Sequence, residues 1–460
     1  MAYQSRNPYD GKIQKIFEEL TDKQLEAAIG AAQQCSETWR QTAFAARAAL
    51  LKRAAAILRA RSENFARLIT LEMGKLIRES RGEVVLSADI LDYYADNAEK
   101  FLSTQTLAPA SGEAIVENAP FGILFGIEPW NFPYYQLARF VAPNLMAGNV
   151  VLVKHASNVP QCAMAFADLF IEADAPQGAY TNLLISKAQV AAVIADPRIK
   201  GVALTGSEAA GAIVAGQAGH ALKKSTMELG GSDAFIVLED ADIDEAVRWA
   251  LWGRINNAGQ CCVAAKRLIV VEAVADHFLE NFMTAMAGLK MGDPMDEATT
   301  LAPLSSMQAL ETLEDQVNRS VAKGARIVLG GKRAAGPGAF MEPTILTDIK
   351  PGNPAYSEEF FGPVALFFRV PDQDAAVTLA NDSNFGLGGS VFTKDVARGR
   401  RVASRMDTGM VFINHPTWTA ADLPFGGVKG SGYGRELSSL GIQEFVNKKL
   451  IRTAEVGAAA

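Results

Sequence analysis

The sequence predicts an α/β protein with parallel strands and helices on both faces of the sheet. Two observations carry this. From residue 149 onward, short apolar runs alternate with stretches of helical periodicity, the pattern of βαβ units. The length of 460 residues is about three common domain lengths, so two or three large cores are expected.

In chain order, residues 21–105 read as helical, because apolar residues recur at three- and four-residue spacing. Residues 106–128 change character, with Pro and Gly punctuating short β-rich runs, and predict a hairpin or extended arm. Strand and helix then alternate. NVVLVKHA, TNLLIS, KGVALTG and DAFIVL read as strands. The helices between and after them come from QCAMAFADLFIEA, SKAQVAAVIAD, SEAAGAIVAGQAG and ADIDEAVRWALWGRI. A second α/β stretch spans about 264–415, with strands at RLIVVEA, ARIVLGG, SVFTK and GMVFIN and a long helix at HFLENFMTAMAGL. There is no repeat of solenoid period and no low-complexity segment beyond a short alanine tail.

Composition excludes several function classes. Hydrophobic residues make up 49%, charged residues 21%, and the formal charge is −7. That is an ordinary globular balance, without the dense Lys and Arg needed for general nucleic-acid binding. No apolar run reaches the roughly 18 residues of a membrane span, and the N-terminus lacks the basic and apolar regions of a secretory signal. Four cysteines, two of them adjacent, are too few for a disulfide framework and point to a reducing, cytoplasmic compartment. Four histidines, none at metal-ligand spacing, give no metal site to expect.

Four short motifs could carry chemistry. At 202–207 a strand runs into a helix through Gly206 and Ser207, and Ser207 is a good N-cap. The free N–H groups of such a junction suit a pyrophosphate. At 256–262, NNAGQCC sets a cysteine after a glycine-containing turn, where a nearby positive potential could favour the thiolate. At 227–231, MELGG puts Glu228 among apolar and flexible neighbours that could raise its pKa. At 129–133, PWNFP fixes an Asn whose amide could face an oxyanion. Each alone reads first as something plainer: a simple turn, a buried thiol pair, a surface carboxylate or a packing corner.

Read together, the motifs resemble the aldehyde dehydrogenase superfamily over nearly the whole chain. They occur in the family's order: PWNFP (129–133), LVK (152–154), TGS (205–207), ELGG (228–231), GQCC (259–262), EEFFGP (358–363) and PFGGVKGSG (424–432). The resemblance implies an aldehyde dehydrogenase-like fold, with a Rossmann-variant cofactor domain that lacks the usual glycine fingerprint. It divides the chain into an NAD(P)-binding domain (1–101 and 121–230), a catalytic domain (231–426) and a β oligomerisation arm (102–120 and 446–456).

By the same resemblance, Cys262 is the nucleophile, Asn131 the side-chain donor to the oxyanion, and Glu228 the base for deacylation. Lys154 and Ser157 lie at the adenine ribose, Gly206 and Ser207 at the pyrophosphate, and Glu359 at the nicotinamide ribose. Phe361, Pro129, Trp130 and Leu229 complete the cofactor contacts. Within the family the chain looks most like the shorter bacterial succinate-semialdehyde dehydrogenases. Arg139 matches an arginine that grips the substrate carboxylate there, and Thr419, with Thr417 and Trp418, lies on a tunnel-lining loop. A second arginine of that family is Asn256 here.

Ser157 stands where NAD-preferring relatives carry a glutamate, so a 2′-phosphate meets no repulsion and both NAD and NADP are expected as cofactors. Lys154 and His155 could attract that phosphate. The expected partners are a small aldehyde and a second copy of the chain, as a homodimer or homotetramer. Retention of Glu228 argues against passing the acyl group to coenzyme A, and the intact Cys262, Asn131, Glu228 and Glu359 set argues against a non-catalytic member of the fold.

Overall fold

The computed structural model describes residues 3–454. Residues 455 and 456 of the expected arm lie outside the described residues. Helices Asp22–Trp39, Phe44–Ala60, Ser62–Met73 and Ile77–Phe101 fill the region of helical periodicity. Thr21 opens the first with a reciprocal capping box to Gln24, and Gly74 closes the third in the left-handed region.

Two sheets organise the rest. A six-stranded sheet runs in the order Gly432–Tyr433, Lys224–Glu228, Ile199–Thr205, Ile123–Glu128, Val150–His155, Tyr180–Asn182. Its strands are parallel except Gly432–Tyr433, which pairs antiparallel with Lys224–Glu228. Parallel pairing brings the carboxyl ends of four strands to one edge, with Thr205 opposite Glu228 and Glu128 opposite His155. Ligands of open α/β sheets sit in the crevice beyond that edge.

The seven-stranded sheet is ordered Arg326–Leu329, Thr344–Thr347, Val364–Val370, Ala265–Val271, Asp233–Val237, Gly389–Phe392, Phe412–Ile413. Alternate residues of its strand Asp233–Val237 enter opposite cores, Ala234 and Ile236 on one face, Phe235 and Val237 on the other. A three-stranded antiparallel sheet of Val446–Thr453, Glu113–Pro120 and Gln105–Leu107 stands apart, with Leu450 and Ile451 exposed on its outer strand.

Three features depart from the sequence reading. Residues Tyr3–Arg6 and Ile13–Phe17 form an N-terminal hairpin, held by a backbone bond from Gln4 to Ser157, a partner far away in sequence. The expected strand at TNLLIS shrinks to Tyr180–Asn182, because Leu183 bonds back to Val153 and the chain then turns into the Ser186 cap. The strand Arg326–Leu329 is an antiparallel edge.

The pairing of Gly432 with Glu228 requires glycine. Its φ is +102°, and a Cβ there would stand 2.0 Å from the Met227 carbonyl oxygen. Gly432→Ala is expected to destabilise the protein by about 1–3 kcal/mol, read as a lower melting temperature. An unchanged melting temperature would show that this strand pairing is dispensable.

Candidate active site

The crevice at the carboxyl edge of the six-stranded sheet opens into a cavity of about 280 Å³. It gathers Pro129, Trp130, Asn131, Gly206, Ser207, Glu228, Leu229, Cys262, Glu359 and Phe361. These residues come from five separated motifs. Gln136, Thr205 and Gly230 complete the wall, and no sequence motif singled out Gln136. Trp130 meets Phe361 edge-to-face at 5.8 Å, so two aromatic surfaces line one end.

Cys262 follows a turn built against the grain of ordinary backbone. Asn257, Ala258 and Gly259 have φ of 55°, 53° and 77°, three left-handed residues in succession. The turn is tied down from several sides. The amide of Asn257 donates to the carbonyls of Asn131 (2.8 Å) and Gln260 (3.1 Å). Buried Arg254 donates to Gly259 O at 2.6 Å. Lys266, fully buried, donates to the carbonyls of Cys261 and Cys262, each at 2.8 Å.

Asn131 is fixed with equal care. Its amide nitrogen donates to Gln260 O at 3.1 Å, and its side-chain oxygen lies 2.9 Å from the Gln136 amide. Its backbone carbonyl accepts from Lys75, a buried lysine that also pairs with Glu83 and lies 3.6 Å from the Phe132 ring centroid. The other oxygen of Glu83 caps the helix Pro133–Ala147 at the N–H groups of Tyr134 (2.8 Å) and Tyr135 (3.2 Å).

Of the four cysteines, Cys35, Cys162 and Cys261 are buried and Cys262 is half-buried on the cavity wall. Contact with the Cys261 sulfur, and then burial, push the Cys262 thiol up, while Lys266 and Arg139 oppose the shift. The Glu228 carboxyl is buried with no hydrogen-bond partner, and burial first, then Glu436, raise it well above the carboxylate range. A carboxyl held this way is a stronger proton acceptor than an ordinary carboxylate, as a base for water requires.

Glu359 accepts from Gly231 N at 3.1 Å and pairs with Lys266 at 2.9 Å. Ser207 caps the helix Glu208–His220 by accepting from Ala210 N, and the Gly206 N–H donates to Glu228 O at 2.9 Å.

Other expected residues lie off this wall. Lys154 and Ser157 sit at the end of the strand Val150–His155 and just beyond it, both half-buried. His155 is turned inward. It lies between the carbonyl of Pro133 and the N–H of Ala156, and burial lowers its pKa to about 4. A buried neutral imidazole corrects the expectation that His155 helps attract a phosphate.

Arg139 is likewise buried behind the wall. It pairs with Glu436 and donates to Tyr135 Oη (3.1 Å) and Thr205 Oγ1 (3.0 Å). Those contacts, not a cavity-facing guanidinium, are what the structure places at the expected carboxylate grip. Thr419 joins the same chain, with its hydroxyl 2.8 Å from Tyr135 Oη. Asn256 and Trp418 line a second cavity of about 360 Å³ with Lys75, Glu79, Phe132 and Trp252. Thr417 is tied to Gly389 O.

Under native conditions one equivalent of iodoacetamide is expected to label Cys262 alone, with labelling lost in Cys262→Ala, as peptide mass spectrometry would show. Labelling of Cys35 or Cys162 at a similar rate would contradict the burial pattern.

Among the described residues, no helix is long and apolar enough to cross a membrane, and no cluster of three His, Cys, Asp or Glu could hold a metal. The model of the aldehyde dehydrogenase family matches residues 1–451. The succinate-semialdehyde dehydrogenase [NADP(+)] of Deinococcus radiodurans is 53% identical over 446 residues, covering 97% of this chain and 94% of that protein. The probable succinate-semialdehyde dehydrogenase [NADP(+)] of a Synechocystis strain is 43% identical over 98% of this chain and 99% of its own. Among solved structures, Gox0499 superposes with a TM-score of 0.98 at 52% identity, covering 99% of this chain and 100% of that one. The succinic semialdehyde dehydrogenase of Streptococcus pyogenes, solved in complex with NADP+, gives 0.97 at 45% identity, with coverage of 99% and 100%.

Proposed function

The chain belongs to the aldehyde dehydrogenase family, and from that premise we propose that it oxidises succinate semialdehyde to succinate with NADP or NAD, by way of a thioester on Cys262. The observation that carries the reading is the convergence of Cys262, Asn131, Glu228 and Glu359 on one cavity.

The residues present fit a nicotinamide dinucleotide. The first-turn N–H groups of Glu208–His220 suit a pyrophosphate, the Trp130 and Phe361 rings offer apolar surface, and Glu359 can accept from ribose hydroxyls. Lys154 and Ser157 would hold the adenosine ribose and tolerate a 2′-phosphate. When bound, the nicotinamide supplies the acceptor for hydride.

The remaining chemistry belongs to the chain. Cys262 thiolate adds to the aldehyde carbon, and the Asn131 amide and the Cys262 N–H donate to the alkoxide as charge develops. Loss of hydride leaves a thioester. Glu228 takes a proton from water as its oxygen attacks the acyl carbon, and the thiolate departs. Over the cycle, aldehyde, water and oxidised cofactor give acid, reduced cofactor and a proton.

For the distal carboxylate we propose the chain Arg139–Tyr135–Thr419. The bond between the two hydroxyls uses one of their protons, so the other would donate to the carboxylate, and Arg139 behind them would supply the charge. The arm is proposed to pair with a second copy through the exposed strand Val446–Thr453, giving a dimer or a larger even assembly.

Steady-state kinetics with succinate semialdehyde and butanal test the substrate. Tyr135→Phe is expected to lower kcat/KM for the semialdehyde by about tenfold, ~1.4 kcal/mol, and to spare butanal. Equal loss on both substrates, or a wild-type preference for butanal, leaves only general aldehyde oxidation. Cofactor choice is tested at Ser157. Ser157→Glu is expected to reduce kcat/KM for NADP by about tenfold or more, through repulsion of the 2′-phosphate, with NAD little changed. Parallel changes for both cofactors would place Ser157 away from that phosphate.

A further inference from the structure

Lys266 is buried and stands behind the residues that line the cavity. Its ammonium donates to Cys261 O and Cys262 O at 2.8 Å and pairs with Glu359 Oε1 at 2.9 Å. Two of its protons go to the carbonyls, and its charge is paired with Glu359. Two of these contacts have geometric consequences. In a planar trans peptide the carbonyl and N–H point in opposite directions, so holding Cys261 O fixes the direction of the Cys262 N–H. The third contact reaches out of the nucleophile loop to the wall residue Glu359, whose Oε2 lies 2.5 Å from where a Cβ on Gly230 would sit.

We propose that Lys266 is a positioning residue that links cofactor binding to the nucleophile. While Glu359 is paired with Lys266, the ammonium charge is compensated. Once ribose hydroxyls engage Glu359, the pair loosens and the charge acts on the Cys261 and Cys262 carbonyls and on the Cys262 thiolate. The inference rests on the reading that Glu359 holds the nicotinamide ribose. No bond is made or broken in this step; only the balance of charge around the sulfur changes.

The other charged and titratable groups around the cysteine pair are Arg139 at Cys262, Asp233 and Arg254 at Cys261, and Glu228 across the same cavity. Arg139 is held by Glu436, and Arg254 donates to Gly259 O. Asp233 accepts from Gly388 N, and burial raises its pKa to about 6. None of these makes a direct contact with both Glu359 and the cysteine carbonyls, as Lys266 does.

The test measures the rate of iodoacetamide alkylation of Cys262 against pH, with and without NADP, in wild type, K266M and E359Q. NADP binding is followed separately by tryptophan fluorescence. In wild type, NADP is expected to lower the midpoint of the profile by about one unit, so that alkylation on the acid limb speeds up about tenfold. K266M is expected to bind NADP with no change in midpoint. E359Q is expected to show the lowered midpoint already in the absence of NADP.

A purely structural brace would slow alkylation equally with and without NADP. The proposal is overturned if K266M shows the wild-type response to NADP, or if E359Q without NADP matches wild type without NADP. Should K266M fail to fold, the E359Q comparison decides alone. Should wild type not bind NADP, the cofactor reading fails, while E359Q still tests Lys266.

Discussion

The site depends on one junction of hydrogen bonds between the two large sheets. Asn131, in the loop just beyond the strand Ile123–Glu128 of the six-stranded sheet, donates to Gln260 O, and Asn257 donates back to Asn131 O while also holding Gln260 O. Gln260 belongs to the turn that leads into the seven-stranded sheet, so these bonds set the distance between oxyanion donor and nucleophile. A buried lysine stands behind each side, Lys75 at Asn131 O and Lys266 at the cysteine carbonyls. Charged donors make shorter and stronger bonds than neutral ones, and burial strengthens them further.

Buried charge is the second constraint. Glu128, Glu228 and Glu436 all lie near the Arg139 guanidinium, with Arg435 also acting on Glu228, and burial is the first cause of the upward shift in all three carboxyls. Two cations cannot compensate three carboxylates in a poorly solvated space, so protons do the rest. A glutamate that must give and take a proton is therefore placed among groups that already share them. The same arrangement explains the placement of Arg139. A lone guanidinium there would be as costly as a lone carboxylate, and Glu436 removes that cost by pairing with it.

Much of this was legible in the sequence, though unevenly. The strand–helix alternation revealed the parallel sheets, because each strand's apolar run and each helix's period are local signals. The motifs revealed the wall residues, since Asn131, Glu228, Cys262 and Glu359 sit in short segments of unusual composition. Lys266 gave no such signal. In AAKRLIVV it reads as the polar start of a strand, and only the fold brings Glu359 to it. Gln136 was hidden for the same reason, within the helix Pro133–Ala147. His155 shows the reverse error. Its neighbour Lys154 suggested a basic patch, but a strand's alternation sends successive side chains to opposite faces, and the histidine took the inner one.

The three left-handed residues before the nucleophile have a consequence for how the molecule ages under heat. Asn257 and Ala258 hold conformations that side-chain-bearing residues seldom adopt, and only their surrounding bonds keep them there. Strain of this kind is released locally, without waiting for the sheets to separate. The turn that shapes the reaction is thus a loaded spring set in a stiff frame. Catalytic competence would be surrendered at a lower temperature than the fold itself, and regained on cooling as long as the frame has held.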